Sequence, residues 1–517
     1  MASFSTTNAI PDDISWSNWF EPDDPARITQ QAAGSFRWTN PDGTVVTLTG
    51  SDFTFSGSTP LTGRVTGLTV TSGSGQVLLQ ATGLSGDLQN LFTYAFGANP
   101  DGGGHKPANG FTFLSYLMLG GDLYTGSAKD DYFSGGNDRG NDTINAGAGN
   151  DYISVFAGKD VIDGGSGTDT LSYQGSSDDS TALHGITVDV AAGTIKDCWN
   201  FTDTFTGIER FRGSKFADTF KGDAGDNAFM GLRGNDSFTG GAGFDELAYY
   251  RDGTEGGAAG ITANFATGTV IDGFGNTDTF SGFEFIIGTR FADTFIGDGK
   301  ANTFAGAAGK DSYTGGAGRD VIDFSVAAVP ATQGVVADLS RASDQIQNDG
   351  FGNVETAIGI ENLYGSDFGD VFTGNNLANQ LRGEKGNDVI AGGLGKDTIW
   401  GDGGADTLTG GLGGIDADTF IYSRHGGTDP WGDTITDFNI FHDRISIYVP
   451  DFAGMTLVRN VENAPQANGE GSWFFYNFQT HGLYWDRDGI GTQYAPILLV
   501  TLLGVDGIRP QDIVLFD

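Results

Sequence analysis

Gly383 to Thr409 reads GEKGNDVIA GGLGKDTIW GDGGADTLT, three nonapeptides in register with Gly at position 4, Asp at position 6 and an aliphatic residue at position 8. Glycines crowded into the first four positions predict a tight turn, and the apolar residue near the end predicts a short strand, so the chain is expected to coil. Two nonapeptides, one per side, complete one turn of a flattened parallel coil. Each residue then lies over its equivalent in the preceding coil at the strand spacing of roughly 4.8 Å. Asp388 is placed over Asp370, and Asp397 over Asn379.

Ionised carboxylates about 5 Å apart repel by roughly 3 kcal/mol even at an effective dielectric near 20, so the stack calls for a positive charge between its members. Carboxylates and turn carbonyls are hard oxygen ligands that suit Ca2+, whose flexible shell takes six to eight of them. Zn2+ would favour His or Cys, which these turns lack.

The register recurs in four blocks. The first begins at Gly126, slips by two residues and runs to Ser172, with Asp131, Asp142, Asp151, Asp160 and Asp169 at position 6. The second, Gly213 to Ala248, carries Asp218, Asn227, Asp236 and Asp245, and the third, Gly288 to Asp323, carries Asp293, Asn302, Asp311 and Asp320. The fourth starts at Gly365 and presents Asp370, Asn379, Asp388, Asp397, Asp406 and, after a three-residue insertion, Asp418. These nineteen residues are the candidate metal ligands. The Asn at the second position-6 site of blocks two, three and four lowers local charge and predicts weaker binding or reliance on carbonyl oxygens.

Blocks two, three and four start about 75 residues apart, so a larger repeat encloses the small one. Between blocks lie three related inserts with Gly185-Ile186-Thr187-Val188, Gly260-Ile261-Thr262-Ala263 and Gly334-Val335-Val336-Ala337 in equivalent places. Their alternation predicts strands that either continue the coil or fold out as side hairpins. Position 8 supplies the interior, through Ile153, Ile162, Leu171, Phe220, Phe229, Phe238, Phe295, Phe304, Phe372, Ile390 and Ile399. So thin a core leaves much of the folding free energy to metal binding.

The nonapeptide resembles that of the RTX (repeats-in-toxin) calcium-binding family. The resemblance implies an all-β fold, a right-handed parallel β-roll or β-helix solenoid that binds several Ca2+ ions, exported by the type I route with an uncleaved signal near the carboxyl terminus. Asp512 to Asp517 is compatible with such a signal. The segments Asp418 to Tyr422, Gly432 to Phe438 and Asp443 to Ile445, with Gly482 to Gly489 and Leu498 to Leu502, are similar to the carboxyl-terminal cap of serralysin-type secreted proteins. Asp486 and Asp488-Gly489 fit a calcium turn or a plain tight turn equally well.

Residues 1–120 lack the register but hold period-two stretches such as Thr44 to Thr49 and Gln76 to Leu79, which read as a β-rich amino-terminal domain, an anchor or interaction module. The roll is assigned to 121–420 and the cap to 421–517. Trp16, Trp19, Phe36 and Trp38 fit a core better than a sugar-stacking face, and Gly102 to His105 reads as a flexible turn. MASFSTTNAIPDD has neither the basic nor the apolar region of a classical secretion signal, and no apolar segment approaches membrane-spanning length.

The chain has 517 residues, with 85 glycines at fixed intervals, 13 prolines and 38% hydrophobic residues, a composition neither collagen-like nor disordered. A net charge of −39 argues against nucleic acid or an anionic membrane as partner. The single cysteine, Cys198, forms no intramolecular disulfide and is tolerable outside a cell only if buried or unreactive. His105, His184, His425, His442 and His481 are scattered singly, without the paired histidines and glutamate of a metalloprotease, and no GxSxG elbow occurs. The leading expectation is a non-enzymatic secreted structural protein of a surface layer, matrix or adhesive coat, self-assembling or holding a surface polysaccharide. An exported ligand- or glycan-binding effector, or an enzyme, working through residues 1–120 stay open as alternatives.

Overall fold

The computed structural model describes residues 123–134, 139–175, 180–411, 416–423, 432–448, 472–486 and 496–516, together with strands in 3–6, 28–32, 35–39, 45–56, 59–71, 77–87 and 455–461. Gly102 to His105, Trp16, Trp19 and Asp488-Gly489 lie outside the described residues, as do the side chains of Phe36 and Trp38. The described fold is all-β, built mostly of three-residue strands, with one 3-10 turn at Pro510–Asp512. No helix among these residues is long and apolar enough to cross a membrane. The chain divides into two compact units, Met1–Leu247 with Thr277–Phe283, and Ala248–Asn276 with Glu284–Asp517.

In the first unit, positions 7 to 9 of each nonapeptide form a strand that pairs in parallel with its equivalent one coil away. Tyr152–Ser154 pairs with Tyr132–Ser134 and with Thr170–Ser172, and Ile153 faces Phe133 and Leu171. The opposite face stacks Thr143–Ala148 on Val161–Ser166 in the same way. Position 8 points inward, and Ile153, Ile162, Leu171, Phe220, Phe229 and Phe238 are all buried. A slab one side chain thick on each face is all the core such a coil can hold.

The amino-terminal strands are antiparallel: Val45–Ser56 pairs with Thr59–Thr71, which pairs with Val77–Asp87. Ser3–Thr6 then bridges this sheet to the coil, antiparallel to Val77–Asp87 and parallel to Leu123–Thr125. The coil's first strand, which would otherwise present an open edge, is thereby covered.

The inserts combine both expected arrangements. In the first insert Thr202–Thr206 continues the coil in parallel with Val161–Ser166, and Thr187–Asp189 lies in parallel on Thr219–Lys221. Thr194–Lys196 runs antiparallel between them. Two extra strands thus enter one face, about 10 Å at the usual spacing. On the other face Thr170–Ser172, Arg210–Arg212 and Ala228–Met230 remain direct neighbours. Cys198 sits in the hairpin loop and is buried.

The second unit repeats this plan with Phe295, Phe304, Phe372, Ile390 and Ile399 in its core. Val371–Thr373, Val389–Ala391 and Thr407–Thr409 form one face, and Gln380–Arg382, Thr398–Trp400 and Thr419–Tyr422 the other. The coil continues past the repeats. Arg444–Tyr448 stacks on Thr419–Tyr422 and receives Ile513–Phe516 in parallel, while Asp433–Ile435 pairs with Thr407–Thr409 and Ile497–Leu502. Antiparallel strands Gly482–Asp486 and Ser472–Asn477 extend that face, and Met455–Val461, parallel to Ser472–Asn477, finishes it.

Candidate metal centre

Each nonapeptide turn is built so that its position-6 side chain points at backbone rather than at water. Oδ1 of Asp388 accepts the N–H of Asp370 at 2.8 Å, and Oδ1 of Asp397 accepts that of Asn379 at 2.8 Å. The same contact joins Asp151 to Asp169, Asp218 to Asp236, Asn227 to Asp245, Asp293 to Asp311 and Asn302 to Asp320. The expected superposition of position 6 is therefore present, with one correction. A peptide N–H, rather than a cation alone, separates successive carboxylates through their first oxygen.

A second ladder runs the other way at position 5. Asn141, Asn150 and Asn387 accept through Oδ1 the N–H of Lys159, Thr168 and Ala405 in the following coil. These residues were not singled out from the sequence, although Asn recurs at that position.

The inserts and cap also extend the position-6 columns. Asp203, Glu209 and Asp278 accept the N–H groups of Asp160, Asp169 and Asp236, and Glu355 and Glu361 those of Asp311 and Asp320. Asp433 and Asp443 do the same for Asp406 and Asp418. Sequence reasoning missed all seven as column members. The available signal was the recurrent Gly-Ile-Glu at Gly207 to Glu209 and Gly359 to Glu361, and the Asp-x-Ile of Asp433 to Ile435 and Asp443 to Ile445.

The second carboxylate oxygen decides the chemistry. Oδ2 of Asp151, Asp169, Asp320, Asp388 and Asp397 is buried and accepts no hydrogen bond among the described residues. In the turns of Asp169, Asp388 and Asp397 glycine at position 1 makes the space this oxygen occupies, whereas position 1 of the Asp151 turn is Ala146; a Cβ on Gly164 would stand 2.7 Å from Asp169 Oδ2, and Cβ atoms on Gly383 and Gly392 would overlap Oδ2 of Asp388 and Asp397. Burying a carboxylate with one oxygen unmatched costs several kcal/mol unless a cation or proton arrives. Burial, reinforced by Asp406 and Asp370, accordingly pushes Asp388 up to about 9. Burial raises Asp397 to about 7, with Asp418 adding to it, and Asp151 and Asp320 to about 6. Asp311 rises because it is buried against Glu355, a second carboxylate.

These groups fit a hard cation. No three His, Cys, Asp or Glu side chains converge among the described residues. An ion held here would therefore draw on one or two carboxylate oxygens and complete its shell with turn carbonyls, the oxygen-only donor set of Ca2+.

A coil of parallel strands with stacked carboxylates in its turns defines a β-roll repeat protein. A family model described as RTX calcium-binding nonapeptide repeat (4 copies) matches residues 137–171, 203–238, 212–247, 287–322, 364–399 and 382–414. The chain carries the RTX calcium-binding nonapeptide repeat. The match beginning at residue 203 takes in the insert residues Asp203 and Glu209. No curated protein matches the chain.

Proposed function

We propose that the protein is exported by the type I route and folds on Ca2+ outside the cell, as a non-enzymatic structural component of a surface layer, matrix or adhesive coat. The nineteen position-6 residues form the columns along which a roll over residues 121–420 holds its metal. Residues 1–120 act as anchor or interaction module toward further copies of the chain or a cell-surface polysaccharide, and 421–517 as cap and export signal. The observation that carries the reading is the set of buried Oδ2 atoms with no hydrogen-bond partner among the described residues at Asp151, Asp169, Asp320, Asp388 and Asp397. Oxygens left unmatched inside a thin core are a standing demand for cations, and extracellular calcium at millimolar levels meets it.

Calorimetry of the full chain with millimolar Ca2+ and with a chelator tests this. A large calcium-dependent rise in melting temperature is expected, and an identical melt in chelator would refute calcium-coupled folding. Calcium-dependent ordered assembly seen by electron microscopy would support the structural role, and a chain that stays monomeric in calcium would count against it.

A further inference from the structure

The position-6 turns are of two kinds, and the second residue of the nonapeptide separates them. Before Asp151, Asp169, Asp320 and Asp397 that residue is Gly147, Gly165, Gly316 or Gly393, with φ of +111°, +102°, +105° and +105°. Before Asp388 it is Glu384 at +68°, and in the turns of Asp236, Asp311 and Asp406 it is Leu232, Ala307 and Asp402 at +71°, +65° and +57°. L residues adopt this region at a cost of roughly 1 kcal/mol or more and keep it where the surroundings impose it. Arg382 helps to impose it in block four, where its guanidinium pairs with both Glu384 and Asp402.

In the opening turns of blocks two, three and four the second residue is Ser214, Thr289 or Ser366, none of them left-handed. Its N–H reaches Oδ2 of Asp218, Asp293 or Asp370 at 2.7 Å. Its hydroxyl bonds Oδ1 and also takes the N–H two residues on, at Phe216, Phe291 or Phe368. Oδ1 further accepts Ile186, Ile261 or Val335 N–H from the insert. Three donors satisfy each of these carboxylates, leaving no lone oxygen to attract an ion. The next turns, at Asn227, Asn302 and Asn379, close the same way, their Oδ1 accepting the N–H of Asp223, Asp298 or Asn375.

We propose that calcium loads only the turns whose second residue is left-handed, and that in the opening turns of each block a backbone amide takes the ion's place. When the second residue turns left-handed its N–H leaves the carboxylate, and Oδ2 becomes a ligand. Ser, Thr, Asp or Asn in the ordinary conformation instead folds the turn on itself through a local side-chain to backbone bond. In blocks two, three and four the later part is metal-bearing and the start is metal-free, while in block one the Asp160 turn, whose second residue Phe156 is not left-handed, takes no ion. Asn at position 6 then follows from turn closure and is not a weakened metal ligand.

This rests on the calcium-binding reading, and ion counting separates the two. The full chain is equilibrated with Ca2+ by dialysis and the bound ion counted by plasma mass spectrometry, with circular dichroism checking the fold. The double variant Asp388→Asn/Asp397→Asn is expected to lose ions relative to the parent chain, and Asp218→Asn/Asp293→Asn to keep the parent's count. Equal losses in both would overturn the proposal while leaving calcium binding intact. A parent chain that binds no calcium overturns both. Should the second variant fail to fold, Ser366→Gly/Phe368→Gly decides alone, since opening the Asp370 turn is expected to add an ion and an unchanged count rejects the idea.

Discussion

Replacing Asp397 by alanine removes two things at once, the acceptor of Asn379 N–H and an oxygen that no group among the described residues satisfies. Asparagine keeps the first and removes only the second. In saturating calcium Asp397→Ala is therefore expected to melt below Asp397→Asn, since an orphaned buried amide costs about 1–3 kcal/mol; indistinguishable melts would show that the amide contact contributes nothing. Gly392→Ala is expected to destabilise by about 1–3 kcal/mol, because the new methyl overlaps Asp397 Oδ2. The glycine and the aspartate were both legible as a pattern. The reason for Gly at position 1 was not, because that glycine's own φ is unremarkable and the crowding comes from a side chain five residues on.

Strands of three residues are too short to hold themselves, and their stability comes from stacking on equivalents in neighbouring coils. The Phe220 and Phe238 rings stack at 5.0 Å between centroids, and Phe295 on Tyr313 at 5.2 Å, so each ring supports the next rung. Phe238→Ala is expected to cost about 3–5 kcal/mol in a calcium-loaded melt. A loss below about 1 kcal/mol would mean the core is held by its turns alone. Position 8 identified Phe220, Phe238 and Phe295 in advance because apolar residues at a fixed period can only face inward, whereas Tyr313, at the same position, was not singled out. The inserts resisted the same reading. Val188, Ile195 and Phe205 alternate as any strand does, yet which edge each joins, and in which direction, depends on the coils that happen to flank them. The same dependence hid Asp203, Glu209, Glu355 and Glu361, whose spacing along the chain departs from the repeat although their place in the column does not.

Taken over the whole molecule, the buried carboxylates make folding without calcium depend on protons. Asp388 at about 9, Asp397 at about 7 and Asp151 and Asp320 at about 6 all lie above the unfolded carboxylate value near 4. A group raised on folding favours the folded chain below its unfolded pKa and loses that contribution as pH rises through its folded pKa. In chelator the chain is expected to be best folded near pH 4 and to lose β structure between about pH 4 and 9, whereas in millimolar calcium the curve should flatten. Circular dichroism against pH in both conditions checks this, and an opposite slope in chelator would show that these carboxylates are not what limits folding. What the sequence determined by itself is the coil: a nine-residue period of glycine, aspartate and an aliphatic residue admits one way of alternating turn and strand, and stacks acid on acid. Only the tertiary structure decided which oxygens are spent and which are left. Each carboxylate's partners come from the coil before it, the insert beside it and the backbone hand of a residue four places earlier, and none of these is fixed by the nonapeptide alone.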